Sequence, residues 1–124
     1  RRLETMKDLS QMGWKIGLRF DPIIYSDRWQ SLYLKLFESC FSKIDSEKIH
    51  SVSYGPLRFP KSMYKKIKSD IPKNKILIGP FELSNGNVAY KKNLEEQMGD
   101  FFQGELLKKI GKEKIFHCIS DPLL

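Results

Sequence analysis

The chain has 124 residues, 40% of them hydrophobic and 30% charged, with a formal net charge of +7. This is enough for one modest domain, with no apolar run of about 18 residues to span a membrane and nothing that reads as a signal peptide. The basic balance suits a polyanionic partner, nucleic acid first and an acidic membrane surface second, and equally suits an ordinary lysine-rich surface.

Two cysteines, Cys40 and Cys118, lie far apart in apolar surroundings. That pattern fits a reduced, cytoplasmic protein rather than a disulfide scaffold. The first residue is Arg1, within a helix-like stretch, which suggests a piece of a longer protein.

Leu3, Met6 and Leu9 recur at helical spacing, and Gly13 stands where a C-cap glycine belongs. Trp14–Tyr25 then reads as a buried parallel strand broken by Pro22. Its alternation places Ile16, Leu18 and Phe20 on one face and Gly17, Arg19 and Asp21 on the other. Two charges on the inner face of such a strand need an explanation. Either they form a structural bridge, or they line a site, as charged residues at the C-terminal ends of barrel strands do.

Ser26 or Asp27 is the expected cap of the next helix, with Asp27 and Gln30 forming a weak capping box. The apolar stripe Trp29, Leu32, Tyr33, Leu36, Phe37, Cys40, Phe41 and Ile44 predicts a helix buried against a sheet. Cys40, inside that stripe, reads as a core thiol. Ile49–Phe59 is a second strand, with the small residues Ser51, Ser53 and Gly55 on one face and His50, Val52 and Tyr54 on the other. The small face leaves room for a ligand or only relieves crowding. Arg58 follows at the strand end.

A short helix after Pro60 has Met63, Ile67 and Ile71 as its expected apolar side and Lys61, Lys65, Lys66 and Lys68 as a solvated outer face. Lys75–Ser84 reads as a third strand, at an edge because it contains Pro80. Asn85-Gly86 signals a tight hairpin, returning along Asn87–Lys92. Tyr90, Lys91 and Lys92 are candidate nucleic-acid contacts, an aromatic beside two cations. The same composition also occurs in an ordinary surface strand.

Asn93 with Glu96 suggests the cap of a last helix. Its stripe is Leu94, Met98, Phe101, Phe102, Leu106 and Ile110, and Gly111 ends it. Gly99 and Gly104 weaken this helix by about 1 kcal/mol each relative to alanine. Ile115–Ile119 is a final short strand with His117 and Cys118 on opposite faces, and Asp121-Pro122 marks the exit. The sequence contains no GxGxxG, P-loop, HExxH or CxxC motif. The alternation of helices and strands predicts an α/β fold that is part of a barrel or open sheet. Two parallel strands with their helices cannot close a barrel.

GLRFDPII at Gly17–Ile24, YSDRW at Tyr25–Trp29, SVSYGPLRFP at Ser51–Pro60 and IFHCISDP at Ile115–Pro122 together resemble the C-terminal half of spore photoproduct lyase-like radical S-adenosylmethionine proteins, the DNA repair photolyases. The resemblance implies the C-terminal part of a partial (β/α)6 radical-SAM-type barrel, followed by a hairpin and helix. Residues 1–72 would end the barrel, and residues 73–124 would supply the hairpin, the helix and the last strand.

The resemblance also implies two cofactors in the complete protein, S-adenosylmethionine and a 4Fe–4S cluster held by a Cys-x3-Cys-x2-Cys loop. The lyase activity it implies is 5′-deoxyadenosyl radical chemistry on thymine-dimer lesions in DNA. On that basis Arg19 and Asp21 are expected at the cofactor, and Arg58, Tyr90, Lys91 and Lys92 at the DNA. The cluster-binding loop and the hydrogen-donating cysteine of the family have no counterpart here, since Cys40 and Cys118 lie at the wrong places. The missing half of the barrel is therefore an expected partner. Two alternatives remain at this level: a non-catalytic basic nucleic-acid-binding module, and a radical enzyme acting on something other than DNA.

Overall fold

A strand with one apolar and one polar face needs a single covering layer, and this determines the architecture. A computed structural model of the chain describes residues 2–71, 73–84 and 86–118. Pro72, Asn85, Ile119 and the Asp121-Pro122 exit lie outside the described residues. In chain order the regular elements are α1 (Arg2–Gln11), β1 (Ile16–Ile23), α2 (Trp29–Lys43), β2 (Ile49–Pro56), β3 (Arg58–Pro60), α3 (Lys61–Asp70), β4 (Phe81–Ser84), β5 (Asn87–Tyr90), α4 (Lys92–Leu107) and β6 (Ile115–His117). Short 3-10 turns precede β2 and β6, and a third covers Lys75–Leu77. No helix among the described residues is long and apolar enough to cross a membrane.

The strands form two sheets. One is parallel, in the order β1-β2-β6; the other is antiparallel, in the order β3-β5-β4. The fold is therefore mixed α/β with a parallel sheet. The alternation read for β1 holds: Ile16, Leu18, Phe20 and Ile23 are buried, while Gly17 and Arg19 are exposed. β2 continues the buried layer with Val52 and Tyr54. The helices α2 and α4 cover this side. Phe102 of α4 is the hub, fully buried, with ring centroids 4.9 to 6.0 Å from Tyr33, Phe37, Tyr54 and Phe20. Edge-to-face aromatic pairs at such distances add about 0.5–1.5 kcal/mol each beyond their buried area. Because β6 joins β2 and α4 packs on the same core, residues before and after position 72 share one hydrophobic interior.

Several local expectations change. β1 runs through Pro22 instead of stopping there, because its register with β2 slips between Phe20 and Ile23 and asks no ladder bond of the proline. No side chain caps α2: Arg28 is its N-cap, and the Trp29 amide donates to the Ser26 carbonyl at 3.1 Å. Leu32 and Leu36 are exposed, so the buried side of α2 narrows to Trp29, Phe37 and Cys40, with Ile44 just beyond its end. Helix α4 likewise begins at Lys92 after Lys91, without the Asn93 cap.

The stretch read as one strand from Ile49 to Phe59 divides into β2 and β3, which lie in different sheets. At the junction the Leu57 amide donates to the Ile23 carbonyl at 3.2 Å. On α3, Met63 and Ile71 are half exposed, and the packed side is Tyr64 and Ile67. The expected third strand shortens to β4 at the sheet edge, its first part being the 3-10 turn. The hairpin is present: Ser84 pairs with Asn87 across a two-residue connection, and Gly86 has φ +79°. That left-handed conformation is the one glycine supplies without steric cost in such a turn.

Candidate functional site

Two surfaces carry the polar residues. The first is the side of the parallel sheet away from α2 and α4. The register aligns Arg19 of β1, Ser53 of β2 and Phe116 of β6 in one row, and Gly17 with Ser51 in another. The result is a floor of small residues with a charged pair at one side and Phe116, 53% exposed, at the other.

The Arg19 guanidinium (Nη2) donates to Oδ2 of Asp21 at 3.2 Å. Arg19 is 72% exposed along its side chain and Asp21 17% exposed, so the carboxylate is seated and the guanidinium reaches outward. Arg19 and Asp21 are thus brought together. Gly55 answers a different need from ligand room. A β-carbon there would collide with the carbonyl of Cys118, whose amide donates to the Tyr54 carbonyl at 2.7 Å. Close approach of a second backbone is a standard reason for glycine in a strand.

The second surface is a cleft of about 520 Å³ beside α4, reached by Tyr54, Arg58, Lys92, Glu95, Asp100 and His117. β3 delivers Arg58 into it, and Arg58 is held there by Glu95 at 3.0 and 3.4 Å to the two carboxylate oxygens. His117 stacks on Tyr54, with centroids 4.8 Å apart and planes 10° apart. The Tyr54 hydroxyl donates to Oε1 of Gln103 at 2.9 Å. Burial, and then the Asp100 charge, push the Tyr54 phenol above its ordinary range, so it remains a donor. The cleft also carries Glu82 and Glu96. Four carboxylates outnumber its two fixed cations, so its potential disfavours phosphate.

Arg58 therefore does not share a mouth with Arg19 and Asp21. It lies beside α4, whereas they lie on the uncovered side of the sheet. Its partner Glu95 was not read as a site residue. Its signal was the polar stripe Glu95, Gly99 and Gln103 at four-residue spacing, next to the apolar stripe of the same helix.

Tyr90 departs furthest from expectation. It is completely buried, stacks on Phe81 at 4.9 Å, and its hydroxyl accepts from the Tyr25 amide at 2.8 Å. It offers no face to a base. β5 ends at Tyr90, so Lys91 and Lys92 open α4 rather than extend the hairpin, and both are exposed. Cys40 is buried, and desolvation raises its thiol above the ordinary value, which opposes the thiolate form that a metal or cluster needs. Among the described residues no three His, Cys, Asp or Glu side chains converge on a metal-sized site.

The parallel sheet has helices on one side and a polar opposite side. The fold matches that of spore photoproduct lyase. The similar structures include a double mutant with bound AdoMet and dinucleoside spore photoproduct (TM-score 0.69), a single mutant (0.69) and a complex with dinucleoside spore photoproduct (0.70). In each comparison 16% of aligned residues are identical and 94% of this chain is covered, against 36% of the lyase chain. The chain thus spans about a third of the length of the structures it matches. No protein-family model matches it, and no curated protein matches it.

Proposed function

We propose that this chain is the C-terminal part of a radical S-adenosylmethionine lyase that acts on lesions in DNA. The parallel sheet would be the closing wall of a partial (β/α)6 barrel, completed by residues 1–72, with residues 73–124 supplying the hairpin, the covering helix and the last strand. The observation that carries the reading is the polar face of Gly17, Ser51, Ser53 and the Arg19–Asp21 pair, left uncovered in a fold shared with spore photoproduct lyase.

S-adenosylmethionine fits this face. Its small residues let a flat ligand lie close. Arg19 offers a planar fork of donors to a carboxylate, and Asp21 accepts from hydroxyls while holding Arg19 in place. When bound, the cofactor would supply hydrogen-abstracting radical chemistry to the lesion. The cluster does not fit the described residues, because Cys40 is a core thiol and no metal-binding group is present among them. Its ligands belong, in this reading, to another part of the complete protein, which is also the part that would cover the open sheet face. Lys91 remains a candidate DNA contact at the start of α4, whereas Lys92 lines the carboxylate-rich cleft. Arg58, already paired with Glu95, positions α4 against β3.

The test is AdoMet binding and 5′-deoxyadenosine formation by the complete protein, with Arg19→Ala and Asp21→Asn variants. Both variants should retain the wild-type melting temperature and lose cofactor binding by about tenfold or more, the loss of one charge-assisted contact. Unchanged binding would remove the pair from the cofactor site. A protein that binds duplex DNA yet neither binds nor cleaves AdoMet would instead be a nucleic-acid-binding module. The concentration of lysines around α3 suits DNA under either reading, so AdoMet binding is what separates them.

A further inference from the structure

Residues 61–75 contain six lysines and one aspartate, a net +5 of the chain's +7. Lys61, Lys65 and Lys68 lie at i, i+4 and i+7 of α3 and so form one exposed stripe. This stripe does not stand over bare helix. It borders a groove of about 350 Å³ between α3 and the hairpin, floored by Tyr64, Phe81 and Leu83.

The groove is held as one unit. The Lys61 amide donates to the Gly86 carbonyl at 3.1 Å, tying the start of α3 to the hairpin turn. Tyr64 meets Phe81 and Phe59 at centroid distances of 5.7 and 6.2 Å. The Lys68 ammonium sits 5.9 Å from the Tyr64 ring centroid. Leu83 is 58% exposed beside these cations, and Glu82 is the one acid among the described residues of the groove.

We infer that the Lys61–Lys65–Lys68 stripe of α3, with the hairpin groove beside it, is a docking surface for the phosphodiester backbone of duplex DNA. The inference rests on the reading of DNA as the substrate and deepens it: α3 is assigned the flanking backbone, away from the Arg19–Asp21 face. Seven residues of helix rise about 10.5 Å. Phosphates of one strand advance about 3.4 Å each along the duplex axis, so the stripe matches about three of them. The choice of nucleic acid over other partners follows from charge. A cleft rich in carboxylates lies beside α4, whereas a run of lysine charge is collected here, on a helix with an aromatic floor beside it.

The experiment measures the affinity of the complete protein for a fluorescent duplex over a range of salt concentrations. The Lys61→Gln/Lys65→Gln/Lys68→Gln variant is compared with the arginine variant at the same positions and with a Lys35→Gln/Lys109→Gln/Lys112→Gln control of equal net charge. The glutamine variant should lower the slope of log K against log salt by between about 2 and 3, close to one unit per phosphate lost. The arginine variant should keep the wild-type slope, and the control should change it by less than about one unit. Equal losses in variant and control, or an unchanged slope in the variant, would overturn the assignment while leaving DNA as the substrate. Binding lost to phosphatidylserine vesicles but kept to duplex would overturn it in favour of a membrane surface. If the wild-type protein does not bind duplex at all, the DNA reading fails, and this assignment fails with it. Circular dichroism of each variant checks that the fold is intact.

Discussion

Arg58 on β3 and Glu95 on α4 meet at 3.0 Å, and this pair joins the second sheet to the helix that covers the first. Both side chains are mostly buried, at 25% and 18% exposure, and the Arg58 Nε has no hydrogen-bond partner among the described residues. The guanidinium therefore depends on Glu95 for compensation.

Glu95→Ala should destabilise the protein by about 1–3 kcal/mol, between the values typical of exposed and of fully buried pairs. Arg58→Ala/Glu95→Ala together should cost less than the sum of the singles, because no lone charge then remains in the cleft. Denaturant melts of the three variants check this. Additive losses would mean that the pair contributes nothing.

Gly55→Ala tests the close approach of the chain beyond β6. The added methyl would meet the Cys118 carbonyl, so either β2 or the Cys118 backbone must shift. The expected cost is about 1–3 kcal/mol, as for overpacking elsewhere. Hydrogen exchange should show faster exchange at the Cys118 amide, whose acceptor is the Tyr54 carbonyl. Full protection in the variant would contradict the geometry.

Tyr90→Phe removes the acceptor of the Tyr25 amide and leaves the stacked ring in place. A loss of about 1 kcal/mol is expected for the single hydrogen bond. DNA affinity should be unchanged, since the ring is buried. A fall in affinity without a fall in stability would return Tyr90 to the binding surface.

Stability should fall in alkali. Burial is the leading cause that raises Cys40, Tyr33, Tyr54 and Tyr90 above their ordinary values. Each acid is thus held neutral in the folded state at a pH where the unfolded chain ionises. The stability linked to them is fully present below the unfolded values, about 8.5 for cysteine and about 10 for tyrosine, and is lost as the pH rises through the folded ones. Melting temperatures between pH 8 and pH 11 should decline, with Cys40→Ala losing the earliest part of the decline. A flat profile would contradict the burial of these groups.

Much of this architecture was legible in the sequence. The two faces of β1, the buried side of α4 and the hairpin at Gly86 rest on periodicity and turn chemistry, which act over a few neighbouring residues, whereas a register shift at the start of β2 leaves His50 exposed and Ile49 buried. The Arg19–Asp21 pair belongs with them, because residues two apart in a strand share a face. The Ile49–Phe59 stretch reads as one strand because β-prone residues lie on both sides of Gly55-Pro56, although that pair is itself a break signal. The change of sheet between Pro56 and Arg58 is set by what each segment packs against, not by its own composition.

The sequence by itself determined an α/β chain with a basic surface, a one-sided parallel strand bearing Arg19 and Asp21, and an edge hairpin. All of these follow from local alternation and composition. Only the tertiary structure decided that Tyr90 is core, that Gly55 yields to Cys118, that Arg58 answers to Glu95, and that the lysines of α3 border a groove. The physical reason is separation along the chain. Tyr25 and Tyr90 are 65 residues apart and Arg58 and Glu95 are 37 apart, and only packing brings such groups within hydrogen-bonding distance.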